Sequence, residues 1–466
     1  MEASKLEKNV LLVDFGSTYT KFTAIDIKNS QIINRLTLPT SHETNISTCF
    51  KQGREFFEQK AHIADFDDIF ICSSAWGGFR MIAIGLTDSL TTEAAKRSAL
   101  GAGTRLIKTY SYKLTKDQVA DIDHEQVDII LLCGGTDGGN QEIILHNATM
   151  LNDHLSSGTI LIAGNKEAVP KIKAAFTNSN LTLFYTENVM PKVNVLNPEP
   201  VREIARDIFM EKIIQTNGID DMAKIASSPI LPTPAAVLKA AELLAEGLPD
   251  DKGIGPSMVI DIGGATTDVF TIGNPPITDD NTFFEGLEEP YAKRTVEGDL
   301  GMRYSAESLL EVIGMDAFTK MLPFDSNPGT LQEAIHYRTQ HPTFIAKTEQ
   351  DIEIDTALAA KAVELSVNRH AGTIRFSRTP NRTISYQKGK DLRNFKTVIG
   401  TGGVITYHSS PKKILKFACS NGNEYLKPEA PAFFVDKHYL LSSLGLLSQK
   451  YPKTAFKLLK QMMVPC

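Results

Sequence analysis

The sequence is poor in the residues that mark metal-bound and disulfide-bonded proteins. Its 466 residues include five cysteines and ten histidines. No two cysteines have C-x-x-C spacing and no H-E-x-x-H segment occurs, so a structural metal is not expected. An odd and scattered set of cysteines predicts reduced thiols rather than a disulfide framework. The five are Cys49, Cys72, Cys133, Cys419 and Cys466.

Long apolar runs and an excess of positive charge are also missing. No stretch reaches the about 18 consecutive apolar residues that a membrane-spanning helix requires. The net charge of −6 gives no support for binding to nucleic acid or to an anionic membrane. The opening residues, "MEASKLEKNV", lack the apolar core of a signal peptide. We therefore predict a cytoplasmic globular protein without nucleic-acid or membrane partners.

Two distant segments share one unusual order of residues. They are "VDFGSTYTKFTAID" at 13–26 and "IDIGGATTDVFTIG" at 260–273. In each, an apolar strand ends in an aspartate, glycine and hydroxyl residues follow, and a second strand begins. Glycine at a hairpin tip lets backbone N–H groups approach a ligand and form an anion-binding nest. Either segment alone is equally consistent with a plain tight hairpin. The repeat favours two hairpins that hold a polyphosphate from both sides.

The residue types in these hairpins suit ATP with Mg²⁺. Asp14 and Asp261 are predicted to order the metal through water, because Mg²⁺ keeps several waters and takes one or two carboxylates. Lys21 offers a point charge for a phosphate. The other predicted phosphate contacts are Gly16, Ser17 and Thr18 in the first hairpin, and Gly263, Gly264, Thr266 and Thr267 in the second.

Two later segments complete the predicted site. In "KTVIGTGGVI" at 396–405, a strand leads into glycines that permit close approach of a flat group, and Gly400, Gly402 and Gly403 are predicted to contact adenosine. In "TVEGDLGMR" at 295–303, a carboxylate such as Glu297 could orient an attacking water, which phosphoryl transfer needs. Capping of the following helix is the alternative, and it is favoured for Asp299.

The rhythm of the chain predicts three domains. Residues 1–125 form a first lobe, 126–250 an inserted α/β domain with a parallel sheet, and 251–466 a second lobe. Thr233 is predicted to cap a helix that has Pro234 at its first position. The glycine loop "LLCGGTDGGN" at 131–140 is as consistent with a tight strand-to-helix turn as with contact to an anion, a cation or a partner.

The order of two phosphate hairpins and a late glycine turn resembles the superfamily of actin, sugar kinases and heat-shock chaperone ATPases. At family level the chain resembles the glutamate mutase accessory family, also called MutL-type. The matching segments extend from residue 14 to about 447, and they are "DFGSTYTK", "CSSAWGGFRM", "LLCGGTDGGN", "PKVNVLNPEPVR", "DIGGATTDV", "KRTVEGDLGMR" and "GTGGVI". The resemblance implies an α/β protein with two actin-like (ribonuclease H-like) ATPase lobes and an inserted α/β domain.

The resemblance also implies a function. Members are ATP-dependent partners of adenosylcobalamin-dependent mutases such as glutamate (methylaspartate) mutase, and are expected to act as reactivating chaperones that release damaged cobalamin. The chain lacks the D-x-H-x-x-G pattern that often supplies a cobalt-ligating histidine, so no cobalamin site is predicted on it. The alternatives are a small-molecule kinase on the same fold, which needs a base facing an acceptor hydroxyl or carboxylate, and a nucleotide-dependent filament protein.

Overall fold

The computed structural model describes residues 8–16, 18–40, 46–74, 80–88, 90–101, 105–177, 179–214, 219–275, 282–379, 382–420, 422 and 424–466. The chain divides into two compact units. The main unit comprises Met1–Trp76, Ile213–Phe283 and Pro290–Cys466. The inserted unit comprises Gly77–Lys212 and Phe284–Glu289.

The strands, in chain order, are β1 Asn9–Phe15, β2 Tyr19–Asp26, β3 Gln31–Pro39, β4 Asp68–Ser73, β5 Arg80–Gly85, β6 Arg105–Ser111, β7 Ile129–Leu132, β8 Thr159–Ile162, β9 Thr182–Tyr185, β10 Leu231–Pro232, β11 Gly247–Leu248, β12 Asp251–Lys252, β13 Ser257–Ile262, β14 Thr267–Ile272, β15 Thr282–Glu285, β16 Ala292–Glu297, β17 Thr373–Thr379, β18 Arg382–Lys388, β19 Thr397–Thr401, β20 Ala432–Asp436 and β21 Met463–Pro465.

The α-helices are α1 Ile46–Ala61, α2 Thr91–Gly101, α3 Lys116–Glu125, α4 Glu142–His154, α5 Val169–Ala175, α6 Glu199–Ile214, α7 Ile219–Ile225, α8 Thr233–Glu246, α9 Ala306–Ile313, α10 Met315–Thr319, α11 Pro328–Gln340, α12 Glu349–His370, α13 Gly403–Thr406, α14 Lys412–Leu415, α15 Leu441–Ser448 and α16 Pro452–Met462. None of the described helices is long and apolar enough to span a membrane.

The main unit contains two sheets of the same design. The first has the order β10-β4-β1-β2-β3, and the second has the order β16-β14-β13-β19-β20-β21. In each, a first strand pairs antiparallel with the second, the second pairs antiparallel with the third, and a later strand lies parallel to the first. The repeated design confirms that the two aspartate-glycine segments are corresponding hairpins, β1–β2 and β13–β14.

Helices α8, α15 and α16 belong to an apolar cluster that contains residues of both sheets. Val10 and Phe70 come from the first sheet, and Phe270 and Ile399 come from the second. Helices α8 and α15 pack with their backbones in contact, because a Cβ on Gly445 would lie 1.8 Å from the carbonyl oxygen of Ala236. Only glycine fits at this crossing. The two helices therefore connect the sheets that carry the two hairpins.

The inserted unit is a doubly wound α/β fold. Its five strands are all parallel and have the order β6-β5-β7-β8-β9. An apolar core lies between this sheet and helices α3, α4 and α5. Parallel strands with helices on their faces explain the continuous apolar runs of β7 and β8.

The boundaries of this unit differ from those predicted. The sequence placed an inserted domain at 126–250, whereas the compact unit begins at Gly77 and its main segment ends at Lys212. The reason is strand pairing, because β5 pairs with both β6 and β7 and so draws residues 80–111 into the parallel sheet. Helix α8, placed in the insertion from sequence, instead packs against α15 in the main unit.

Candidate functional site

The first hairpin closes on a tight turn at Gly16. Its N–H donates to the carbonyl oxygens of Asp14 and Tyr19, at 3.1 and 3.2 Å. A Cβ on Gly16 would lie 2.6 Å from the Tyr19 oxygen, so the turn needs glycine. Thr40, directly after β3, donates its hydroxyl to the Gly16 carbonyl over 2.9 Å. Ser17, predicted to contact phosphate, lies outside the described residues.

Asp14 lies at the centre of the site and is fully buried. Its Oδ1 accepts from the Thr233 hydroxyl at 2.8 Å and the Cys72 thiol at 3.4 Å. Its Oδ2 accepts from the Ser442 hydroxyl at 2.9 Å and Lys21 Nζ at 3.2 Å. Burial alone would raise the pKa of Asp14, but Lys21 and the two hydroxyls hold it below its ordinary value. Asp14 is therefore an ionised carboxylate with protein donors on both oxygens.

Two helices begin at Asp14. Thr233 is the first residue of α8, and Ser442 is the second residue of α15. The positive ends of both helices therefore favour the carboxylate. The predicted capping role of Thr233 is wrong, because the N-cap residue of α8 is Pro232 and the Thr233 hydroxyl donates to Asp14 instead.

Lys21 is held between Asp14 and an aromatic ring. Its Nζ lies 3.6 Å from the centroid of the Tyr439 ring. Tyr439 has a left-handed backbone with φ of 54°, which turns the chain between β20 and α15. Burial acts to lower the pKa of Lys21, but Tyr439, Asp14 and Asp261 together raise it above its ordinary value. Lys21 therefore brings a fixed positive charge to the hairpin.

The second hairpin tip packs against the segment 298–303. The carbonyl oxygens of Gly263 and Gly264 accept from the N–H groups of Met302 and Arg303, at 3.0 and 2.8 Å. The Thr267 hydroxyl donates to the Leu300 carbonyl over 2.7 Å, and the Thr266 hydroxyl donates to Asp268 over 3.1 Å. Both hydroxyls that were predicted to hold phosphate thus have protein acceptors in this structure.

Asp261 is the carboxylate that the protein leaves least satisfied at this end of β13. Its Oδ1 is buried and has no hydrogen-bond partner. Burial, and then Asp268, raise its pKa to about 7, while Lys21 acts in the opposite direction. Asp268, its register partner on β14, is by contrast paired with Arg294 at 2.7 Å. An unpartnered buried oxygen is the kind of atom that a cation with its water shell would satisfy.

The two hairpin tips face each other. A Cβ on Gly264 would lie 3.2 Å from the Thr18 hydroxyl oxygen, and Tyr304 is hydrogen-bonded to the same threonine. Lys21 and Asp14 of the first hairpin are also close enough to Asp261 of the second to shift its pKa. The structure thus brings together Thr18, Lys21, Asp14, Gly264 and Asp261, as the repeat predicted.

The late glycine segment divides into three different roles. Gly400 lies buried inside β19, where a Cβ would meet Ile405 at 2.7 Å and Leu415 at 2.8 Å, so it serves core packing. Gly402 has φ of 96° and approaches β13, since its Cβ would lie 2.2 Å from the Ile262 carbonyl oxygen. Gly403, the first residue of α13, has no other atom within 4 Å of an added Cβ. Of the three, Gly403 borders open space in which a flat group would fit.

Glu297 lies at the end of β16, opposite Thr267 of the second hairpin. Its Oε2 accepts from Arg369 Nη1 at 2.8 Å. Arg369 also holds both oxygens of Asp299, at 2.7 and 2.8 Å. These bonds, Asp299 first, raise the pKa of Arg369 above its ordinary value. Glu297 is therefore an oriented carboxylate beside the hairpin tip, and Asp299 shares the same arginine.

No group of three or more histidine, cysteine, aspartate and glutamate side chains suited to hold a metal ion occurs within the part of the chain that the structure describes. Mg²⁺ takes one or two carboxylates and completes its shell with water and phosphate oxygens. The unpartnered oxygen of Asp261 suits such an ion, whereas both oxygens of Asp14 already accept two bonds each from the protein.

The glycine loop of the inserted unit follows β7 and is held by asparagines. Asn188 donates to the Gly135 carbonyl at 3.0 Å and to Asp137 Oδ1 at 2.9 Å. Asn165 donates to the carbonyls of Gly139 and Asn140, at 3.1 and 3.2 Å. Asp137 therefore braces the loop from within, and Gly138 to Asn140 lie exposed at its tip.

Comparison with known proteins supplies a family. Residues 10–463 match the family model described as MutL protein. A curated relative, Protein MutL of Clostridium tetanomorphum, is 44% identical over 458 residues, which cover 97% of this chain and 99% of the relative. The chain therefore belongs to the MutL protein family, which confirms the resemblance inferred from the seven segments. The two equivalent sheets of the main unit and the parallel sheet of the inserted unit agree with the expected α/β class with two similar lobes and an α/β insertion.

Solved structures resemble the chain more distantly. Glycerol kinase of Plasmodium falciparum with ADP has a TM-score of 0.36 and 11% identity, covering 99% of this chain and 94% of that one. Gluconate kinase of Lactobacillus acidophilus has a TM-score of 0.35 and 11% identity, covering 99% and 93%. Similarity at this level supports no inference about the function of this chain.

Proposed function

Because the chain belongs to the MutL protein family, we propose that it is an ATP-binding accessory protein that reactivates an adenosylcobalamin-dependent mutase such as glutamate (methylaspartate) mutase. The proposed binding of ATP is supported by the contact between the two hairpin tips. Thr18 lies beside Gly264, and Lys21 and Asp261 are nearby. A polyphosphate needs glycine backbone, hydroxyls and a fixed cation at close range, and these are the groups that meet there.

Each residue of the site has a defined part in this proposal. Thr18 and the backbone around Gly16 hold phosphates from the first hairpin, and Gly263 and Gly264 hold them from the second. Lys21 supplies the positive charge, with its position fixed by Asp14 and the Tyr439 ring. Asp261 would hold the Mg²⁺ through its unpartnered oxygen, and the ionised Asp14 would add negative charge near it. Bound Mg²⁺ would neutralise phosphate charge and so favour phosphoryl transfer to water.

Gly403 borders the adenosine in the proposal, and Gly402 shapes the turn that precedes it. Gly402 fixes the turn by its close approach to β13, and Gly403 leaves room for the nucleoside. Glu297 orients the attacking water, since Arg369 holds one of its oxygens and thereby fixes the side chain.

The coupling to a partner rests on the connection between Asp14 and two helices. Phosphates bound by both hairpins would favour one arrangement of the two sheets. Release of the phosphate after hydrolysis would allow the sheets to leave that arrangement. Asp14 lies on the first sheet and accepts from the starts of α8 and α15, which cross at Gly445. A shift of one hairpin is therefore transmitted to both helices. A mutase that binds the two arrangements unequally would be driven between its own states by that difference.

The fate of the γ-phosphate tests this proposal against the kinase alternative. Purified protein receives γ-labelled ATP, Mg²⁺ and a metabolite extract, with and without a cobalamin-inactivated mutase. The proposal expects free labelled phosphate that increases when the mutase is present, and no labelled metabolite. If the labelled phosphate appeared on a small molecule, in the same amount with and without the mutase, the proposal would be contradicted. The protein would then be a kinase.

A further inference from the structure

Asp436 lies two strands away from Asp261, at the same edge of the second sheet. Asp261 on β13 is in register with Thr401 on β19, and Gly400 on β19 is in register with Val435 on β20. Asp436, the next residue of β20, is therefore level with Thr401. Register partners on parallel strands point to the same face, and the Thr401 hydroxyl donates to Asp436 Oδ2 over 3.1 Å.

The two oxygens of Asp436 have opposite environments. Oδ2 accepts three bonds, from the Thr401 hydroxyl and from the N–H groups of Leu440 and Leu441, at 2.7 and 2.9 Å. Oδ1 is buried without a hydrogen-bond partner, in a residue that is 0% exposed. Asp261 Oδ1 has the same unpartnered condition. An unpartnered buried carboxylate oxygen calls for an explanation, and two at the same edge of one sheet are the groups that a cation with its waters would satisfy.

We propose that Asp436 is a second carboxylate of the Mg²⁺ site, acting together with Asp261 through metal-bound water. The inference rests on the proposed ATP-binding function and adds a residue to it. Strands lie about 4.8 Å apart, so residues two strands apart are separated by roughly 10 Å at their backbones. A hydrated cation can connect carboxylates over such a span, because Mg²⁺ usually keeps several of its waters. Asp14 is a poorer candidate, since both its oxygens are occupied.

A purely structural role would involve only one of the two carboxylate oxygens of Asp436. The bonds to Leu440 and Leu441 satisfy the start of α15, as an N-terminal carboxylate often does, and they involve Oδ2 alone. Asparagine retains one oxygen for that purpose but removes the charge. Asp436→Asn therefore separates the two roles, and Asp391→Asn serves as a matched control, because Asp391 is also fully buried but belongs to a pair with Arg393.

The test is the Mg²⁺ dependence of ADP binding, measured by titration calorimetry for wild type and the two variants. We expect Asp436→Asn to need about tenfold more Mg²⁺ for half-maximal enhancement, in line with the usual effect of removing a metal's outer-shell partner. ADP affinity in excess EDTA and the response of Asp391→Asn should match wild type. An Asp436→Asn protein with the wild-type Mg²⁺ dependence would overturn the inference.

A second measurement needs no variant and therefore remains decisive if Asp436→Asn does not fold. Fe²⁺ replaces Mg²⁺ on the wild-type protein, and peroxide then cleaves the backbone near the bound iron. Cleavage near both 261 and 436 supports the inference, whereas cleavage at 261 alone, or at neither, contradicts it. If the wild-type protein binds no nucleotide, the proposed function fails, and cleavage with Fe²⁺ alone still decides whether the two carboxylates share a metal.

Discussion

Ser442 donates its hydroxyl to Asp14 over 2.9 Å, although 428 residues separate the two in the chain. Thr233 donates to the other oxygen of the same carboxylate. The β1–β2 hairpin is thus bonded to the starts of two helices that also pack against the second sheet. This arrangement makes Asp14 a junction of the fold, beside the nucleotide site that we propose.

The first prediction concerns this junction. Ser442→Ala removes one donor from a buried carboxylate, which we expect to lower the free energy of unfolding by about 1–3 kcal/mol. The pKa of Asp14 is depressed in the folded protein, so the stability from its bonds exists above its ordinary pKa and disappears as the pH falls through the lower folded value. Urea unfolding should therefore show the same deficit from pH 5 to 8. A deficit that vanishes at neutral pH would contradict this role.

The second prediction uses the raised pKa of Asp261, about 7. Between the ordinary value of 3.8 and about 7, the folded protein holds a proton that the unfolded chain has released, so this group lowers stability as the pH rises. Asp261→Asn should therefore be more stable than wild type at pH 8 without nucleotide. Urea midpoints at pH 5 and pH 8 check this expectation.

The same change should remove a function. Mg²⁺-dependent nucleotide binding by wild type should strengthen as the pH rises through about 7, because Asp261 must be ionised to face the metal. Asp261→Asn should lack this dependence. Asp268→Asn is the contrasting variant, because it removes the carboxylate that Arg294 binds and should destabilise the protein at both pH values. If Asp261→Asn and Asp268→Asn had the same stability and the same Mg²⁺-dependent nucleotide binding, the separate roles assigned to Asp261 and Asp268 would be wrong.

The third prediction compares two neighbouring glycines. Gly402→Ala places a Cβ 2.2 Å from a carbonyl oxygen at φ of 96°, so the protein should be destabilised, by at least about 1–3 kcal/mol. Gly403→Ala meets no atom, and its urea midpoint should match wild type. Its affinity for ATP should nevertheless fall about tenfold, or about 1.4 kcal/mol, if the nucleoside lies against this residue. An unchanged ATP affinity of Gly403→Ala would show that adenosine does not bind against Gly403.

The fourth prediction assigns the water-orienting carboxylate. Glu297→Gln keeps an oxygen for Arg369 but loses its charge, and the rate of ATP hydrolysis should fall by about 100-fold or more, with ATP affinity retained. Asp299→Asn alters the same arginine cluster and serves as the control, with a rate close to wild type. Single-turnover phosphate release measures both. Similar losses in the two variants would indicate that the cluster has only a structural role.

The local parts of the site were predictable because they follow short sequence rules. An apolar strand, an aspartate and a glycine-rich turn specify a hairpin, and its repetition predicted two that face each other. The contacts that individual hairpin and glycine residues make were less predictable. The hydroxyl of Thr267 donates to Leu300, and Gly400 serves core packing, because partners from other elements decide what each group contacts.

The contacts between distant segments could not be predicted from one sequence. Nothing in the residues around Thr233 or Ser442 indicates that their hydroxyls reach Asp14, and the orphan oxygen of Asp436 becomes visible only when β20 lies beside β19. The boundaries of the inserted unit were predicted wrongly for the same reason. The pairing of β5 with β7 joins segments that are distant in the chain, and local composition does not reveal that pairing.

Recovery of an inactivated mutase tests the central claim most directly. A mutase carrying damaged cobalamin is incubated with this protein, ATP, Mg²⁺ and fresh adenosylcobalamin, and both mutase activity and released cobalamin are followed. The proposal predicts recovery that requires ATP, with release of the damaged cofactor, and none with Asp261→Asn. Tight ATP binding without any release or recovery would contradict the reactivation function while leaving the nucleotide site in place.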